Sequence, residues 1–143
     1  MLISQLLRRK DPEVATVEGS ASVRSALALL AEKRIGALVV SSDGRRVDGI
    51  VSERDVARGL HDRGAQLLAD PVSSVMTPQV HVCPPDASVE GLARTMTEHR
   101  VRHVPVVADG ALVGIVSIGD VVKARLDELE EERRQLVDYI QTP

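Results

Sequence analysis

The chain has 143 residues, 43% of them apolar, with a single tyrosine, no Phe or Trp and a formal net charge of −3. That length supports one compact domain with an aliphatic core. It leaves no aromatic platform for stacking bases, and without a long basic run the acidic balance argues against generic binding to a nucleic-acid backbone.

The first segment, "MLISQLLRRKDP", puts its basic residues after a very short apolar stretch, the wrong order and length for a signal peptide. No apolar run approaches a membrane span, and the lone Cys83 rules out an intramolecular disulfide and fits a reducing compartment. The expected setting is the cytoplasm, away from membranes. "VATV" then reads as a short extended piece, and Ser22 as the N-cap of a helix carrying Val23, Ala26, Leu27 and Leu30 at helical spacing. An apolar strand follows ("GALVVS"), then an Asp43-Gly44 turn, a second strand from Val47 to Ser52, and a helix starting near Asp55. "HDRGAQLLADP" reads as helix end and linker, punctuated by Gly64 and Pro71.

The same order then recurs. "QVHVC" is extended, Ser88 caps a helix carrying Val89, Leu92, Ala93 and Met96, "HVPVVA" is a strand, Asp109-Gly110 a turn, Leu112 to Ser117 a strand, and a helix starts near Asp120. The two copies align at an offset of 66, dropping to 65 after the turn, over roughly residues 10–66 and 76–126. The expected division is a first repeat with its N-terminal segment (1–66), a linker (67–75), a second repeat (76–126) and a C-terminal helical extension (127–143). Each unit is marginal alone. Two β-α-β-β-α units packed sheet to sheet bury both faces and create a pseudo-twofold axis, an α/β (α+β) fold. In the final helix Val122, Leu126, Leu129, Leu136 and Ile140 follow three- and four-residue steps, with Arg133 interrupting. Such a seam packs either on the domain or on another chain, while "ELEEERR" reads as a solvated face.

Each copy carries one heptad, "GIVSERD" (Gly49 to Asp55) and "GIVSIGD" (Gly114 to Asp120). Ser followed three residues later by Asp is a capping box. The same geometry also suits a nucleotide: the helix N-terminus offers backbone N–H groups to a phosphate, the carboxylate can accept from two ribose hydroxyls, and the glycine lets backbone approach closely.

With "VMTPQVHV", "HRVRHVPVV" and "DGALVGIVSIGDVV", and their first-copy partners "PEVATV", "KRIGALVV" and "RVDGIVSERDV", the chain resembles a tandem pair of CBS domains, a Bateman module, over nearly its whole length. It is most similar to stand-alone bacterial members of that family. The resemblance implies a regulatory, signal-transducing module rather than an enzyme, which binds AMP, ADP, ATP, NAD(H) or S-adenosylmethionine in two clefts between the repeats. It also implies a homodimer acting on a downstream protein target that the residues do not name. Carried over, cleft one pairs Ala15, Thr16, Ile35, Gly36 and Ala37 with Ser117, Gly119 and Asp120. Cleft two pairs Val80, His81, Val101, Arg102 and His103 with Ser52, Arg54 and Asp55. No cofactor, metal or nucleic acid is expected. A ligand-independent scaffold that only dimerises is the alternative.

Two departures from the family pattern make the clefts inequivalent. Val39 stands where the second copy has Pro105, and Glu53-Arg54 faces Ile118-Gly119. His99 and His103 are four apart, but the strand expected over 101–107 separates their faces, which argues against a metal site. Cys83 reads as a structural thiol, since no base is placed beside it in sequence. A nucleophile–base set, a Walker motif and a GxGxxG after a strand are all lacking.

Overall fold

The computed structural model describes residues 1–142. Short helix α1 (Ile3–Leu7) precedes β1 (Thr16–Val17), α2 (Val23–Lys33), β2 (Ala37–Val40), β3 (Gly49–Ser52) and α3 (Glu53–Arg63). Two 3-10 turns, Ala65–Ala69 and Val72–Ser74, lead to α4 (Val89–His99), β4 (His103–Ala108), β5 (Ala111–Ser117) and α5 (Ile118–Gln141). The first sheet has the order β1-β2-β3, with β1 parallel to β2, and the second is the β4-β5 hairpin.

The N-caps fall at Ser22 and Ser88, whose hydroxyls accept from the amides of Ser25 and Gly91. Capping boxes open α3 at Ser52 and Asp55, and α5 at Ser117 and Asp120. Asp109 and Gly110 both take positive φ, 51° and 75°, as a two-residue hairpin turn requires. The first-copy turn is wider: Asp43 accepts from the amides of Arg45 and Arg46 across a loop that carries Gly44 at φ 78°. "QVHVC" forms no strand of its own and meets the second sheet through a single parallel bridge, Cys83 to Val106. Pro84-Pro85 follows at once and removes the amides that a longer ladder needs.

The two ends of the repeat unit are exchanged. α1 lies in the second repeat's core, where Ile3 and Leu6 join Val89, Leu92, Met96, Val104, Val106 and Val116. The 67–75 segment returns to the first core, where Leu67 and Val72 are fully buried among Val23, Ala26, Leu30, Leu38 and Val51. Matching hydrogen bonds reveal the pseudo-twofold relation. Ile3 N donates to Ala87 O (2.9 Å) as Val72 N does to Ala21 O (2.8 Å), and Ser4 N donates to Pro85 O (2.8 Å) as Ser73 N does to Gly19 O (2.9 Å).

The repeated glycine follows from this exchange. A Cβ on Gly49 would lie 2.7 Å from Met76 Sδ and 3.0 Å from Thr77 O, and one on Gly114 would lie 2.6 Å from Leu7 Cδ2. The glycine therefore admits the crossing segment, rather than a ligand as the sequence suggested.

α5 runs as one rod from the second repeat outward, 24 residues or about 36 Å. Its first turns bury Val121 and Ala124, but Val122, Leu126, Leu129, Leu136 and Ile140 remain exposed. No described helix is long and apolar enough to cross a membrane.

Candidate functional site

All eight residues expected in cleft two, Ser52, Arg54, Asp55, Val80, His81, Val101, Arg102 and His103, line one cavity of about 270 Å³. The end of β3 and the first turn of α3 supply Ser52, Arg54 and Asp55. The extended stretch before α4 supplies Val80 and His81, and the entry to β4 supplies Val101, Arg102 and His103.

The capping and ligand readings of Asp55 prove compatible, because its two oxygens face different partners. Oδ2 accepts from Ser52 N (2.9 Å) and Ser52 Oγ (3.0 Å). Oδ1 meets only Thr77 Oγ1, at 3.5 Å. One oxygen holds the helix start, and the other remains for an incoming hydroxyl.

The helix N-terminus has fewer amides to offer than expected. Glu53 N donates to Gly36 O (3.1 Å) and Asp55 N to Ser52 Oγ (3.2 Å). The cavity's stronger anion binders are side chains. Arg54, Arg58, Arg100 and Arg102 all line it, and among the described residues none of the four lies within 4.0 Å of a carboxylate. Against the two carboxylates of the same lining, Glu53 and Asp55, four guanidinium groups without a carboxylate partner leave the concavity cationic and suit a multiply charged anion.

Sequence reasoning missed Arg58, Arg100, Thr77 and Gln79 as lining residues. Arg58 was accessible, since it follows Arg54 by four residues on one helix face. Arg100 ends α4 in the left-handed region at φ 54°, a conformation disfavoured for a residue with a Cβ. Arg34 repeats it at the end of α2, so the conformation belongs to the repeat and the placement at the cavity only to the second copy.

The residues expected in cleft one do not surround one cavity. Ala15 and Ile35 line a space of about 390 Å³ together with Lys10, Glu13 and Lys33. Asp120 faces another, of about 190 Å³, with Lys10 and Lys123. Gly36 borders the cleft-two cavity instead. Thr16 and the buried Ala37 lie in the first sheet, Ser117 caps α5, and Gly119 sits in its first turn. Lys10 stands between the two spaces: its Nζ donates to Asp120 Oδ2 (2.6 Å) and Ile115 O (2.7 Å). Burial alone would raise the Asp120 carboxyl, but Lys10 and the Ser117 amide outweigh it and hold the carboxyl below its ordinary value.

His103 reaches from β4 toward Gly36, whose Cβ position would be 3.4 Å from its ring. Burial pushes its imidazole below the usual 6.5. Asp120 opposes that shift, Lys10 reinforces it, and Glu53 and Arg102 add smaller opposite effects. With the folded value depressed, the unfolded chain takes up the proton first. The contribution of His103 to stability is thus full above about pH 6.5 and is lost as pH falls through the folded value. Urea midpoints of the wild type should fall between about pH 7.5 and 5.5, with a flatter profile in His103→Gln. An identical slope in both proteins would assign the effect to other groups.

His81 stacks on His99, with centroids 4.3 Å apart. His99 ends α4 and His103 starts β4, so the two share no helical face. Burial pushes the Cys83 thiol up to about 11, which keeps it protonated and weakly nucleophilic at neutral pH.

The sequence and the fold are similar to those of known proteins. The family model for the CBS domain matches residues 3–62 and 72–127. A mitochondrial CBS domain-containing protein of Arabidopsis thaliana is 36% identical over 124 residues, and the match spans 84% of this chain but only 60% of that protein. Among solved structures, a CBS-domain containing protein of Agrobacterium tumefaciens is 43% identical with a TM-score of 0.83, over 87% of this chain and 99% of its own. A CBS domain protein of Pyrobaculum aerophilum complexed with AMP is 31% identical with a TM-score of 0.75, over 84% and 89%.

Proposed function

Because this chain belongs to the CBS domain family and carries two repeats in tandem, we propose that it is a regulatory module that binds an adenosine-containing nucleotide in cleft two. The observation that carries the proposal is the convergence of all eight expected residues on one cavity. Asp55 Oδ1 receives the ribose hydroxyls, the aliphatic walls at Val80 and Val101 hold the adenine, and the arginines take the phosphates. The AMP complex of the Pyrobaculum relative supports the ligand class. The count of arginines favours ADP, ATP or NAD(H) over AMP, since each added charged hydrogen bond is worth about 1.5–3 kcal/mol.

Isothermal titration with AMP, ADP, ATP and NAD(H) tests this reading. Saturable binding that weakens with added salt is expected. A folded protein that takes up none of the four would favour the ligand-independent scaffold.

The module also works as a homodimer in this proposal. Leu60, Val122, Leu126 and Leu129 form exposed apolar surface on α3 and α5, whereas Val56 and Val121 of the same helices are buried in the two cores. Sedimentation at micromolar concentration should give a dimer, and a monomer with and without nucleotide would refute it.

A further inference from the structure

We infer that Lys10 is a built-in occupant of cleft one, so that the resting chain takes nucleotide in cleft two alone. The inference rests on the reading of the chain as a nucleotide-binding module, and the observations behind it are distinct from those at cleft two.

The two heptad carboxylates are built alike and partnered differently. Asp55 and Asp120 each turn Oδ2 to the amide of their own capping serine, both at 2.9 Å. Beyond that, Asp55 has only neutral partners, Ser52 Oγ on Oδ2 (3.0 Å) and Thr77 Oγ1 on Oδ1 (3.5 Å), whereas Asp120 Oδ2 also holds the Lys10 ammonium at 2.6 Å. The pair is largely shielded, with side-chain exposures of 29% for Lys10 and 25% for Asp120. The second bond of Lys10, to Ile115 O, fixes the ammonium against β5.

The backbone holds Lys10 in place. Arg9 N donates to Leu6 O (3.1 Å) and Lys10 N to Leu7 O (3.2 Å), so the chain leaves α1 in a tight turn. α1 itself is anchored by Ile3 and Leu6 in the second core. Lys10 is thus tethered beside Asp120 at high effective concentration. A ribose diol approaching Asp120 meets a carboxylate whose charge is already countered by a shielded ammonium, whereas one approaching Asp55 meets a carboxylate with neutral partners alone. Charged hydrogen bonds are stronger than neutral ones, so Asp120, already committed to Lys10, is the poorer acceptor for the diol. Movement of the segment between α1 and β1 would open the second site. Cleft-one occupancy is in this way tied to the N-terminal segment.

The test is binding stoichiometry on the full chain, by equilibrium dialysis with radiolabelled ATP and AMP. The proteins are wild type, Lys10→Met, Asp55→Ala and the double variant. Methionine keeps the aliphatic stem and removes the charge, and thermal melts check folding. Wild type should bind one nucleotide per chain and Lys10→Met two. Asp55→Ala should bind at least about tenfold more weakly, and the double variant should regain one site, now at cleft one. If Lys10→Met still binds one, the latch is wrong and the nucleotide reading stands. If wild type already binds two and Lys10→Met weakens one of them, Lys10 is a ligand contact and the latch is overturned. Binding by none of the four proteins would sink both readings.

Discussion

Asp55→Ala is expected to weaken ATP binding at cleft two by about 10- to 150-fold, the equivalent of losing charge-assisted hydrogen bonds worth about 1.5–3 kcal/mol. The fold should survive. Ser52 still caps α3 through the Asp55 amide, and losing the reciprocal half of a capping box costs about 1 kcal/mol. Asp55→Asn separates the two roles of the side chain, because it keeps an acceptor for the cap while removing the charge that favours the diol. Its binding loss should approach that of alanine, and its stability loss should be smaller. If Asp55→Ala binds ATP as wild type does while clearly losing stability, Asp55 serves the helix alone. Arg102→Ala should weaken ATP more than AMP, and the difference should shrink with added salt.

Ile3→Ala should destabilise the protein by about 2–5 kcal/mol, the range for truncating a fully buried aliphatic side chain. The third residue of a chain commonly frays, so an effect of this size would be informative. Ile3 is fully buried among Val89, Met96 and Val106, and its amide donates to Ala87 O. Leu67→Ala should cost a similar amount in the first core, because Leu67 occupies the linker that returns to that repeat. Urea denaturation measures both. A loss below about 0.5 kcal/mol for Ile3→Ala, the size of an ordinary surface substitution, would mean that α1 is not part of the second core.

The sequence made the repeat legible because its signals are local. Ser22 and Ser88 announce the helices that start at the next residue, the Asp-Gly turns mark the hairpins, and the apolar runs between them need both faces covered. The eight residues that the family resemblance implies for cleft two meet at one cavity, since that resemblance carries over positions from both copies. The exchange of α1 and the 67–75 segment between the cores was not legible. "ISQLL" is too short to show helical periodicity, and nothing local states which of two similar cores it enters. The repeated glycine is ambiguous in sequence for the same reason: Leu7 and Met76, which fill the space, lie far away along the chain. Lys10 was invisible as a site residue because its partner is 110 positions away and an isolated lysine before a strand carries no pattern. Arg100 was hidden differently, since its direction depends on a left-handed backbone that the residue type disfavours.

The most direct measurement of the central claim is a titration of isotopically labelled protein with ATP, followed by amide and imidazole resonances. Shifts should concentrate at Ser52 to Arg58, at Val80 and His81, and at Arg100 to His103, and in Asp55→Ala should need about 10- to 150-fold more ATP. Resonances unmoved at millimolar ATP, or shifts confined to residues away from that cavity, would contradict the account.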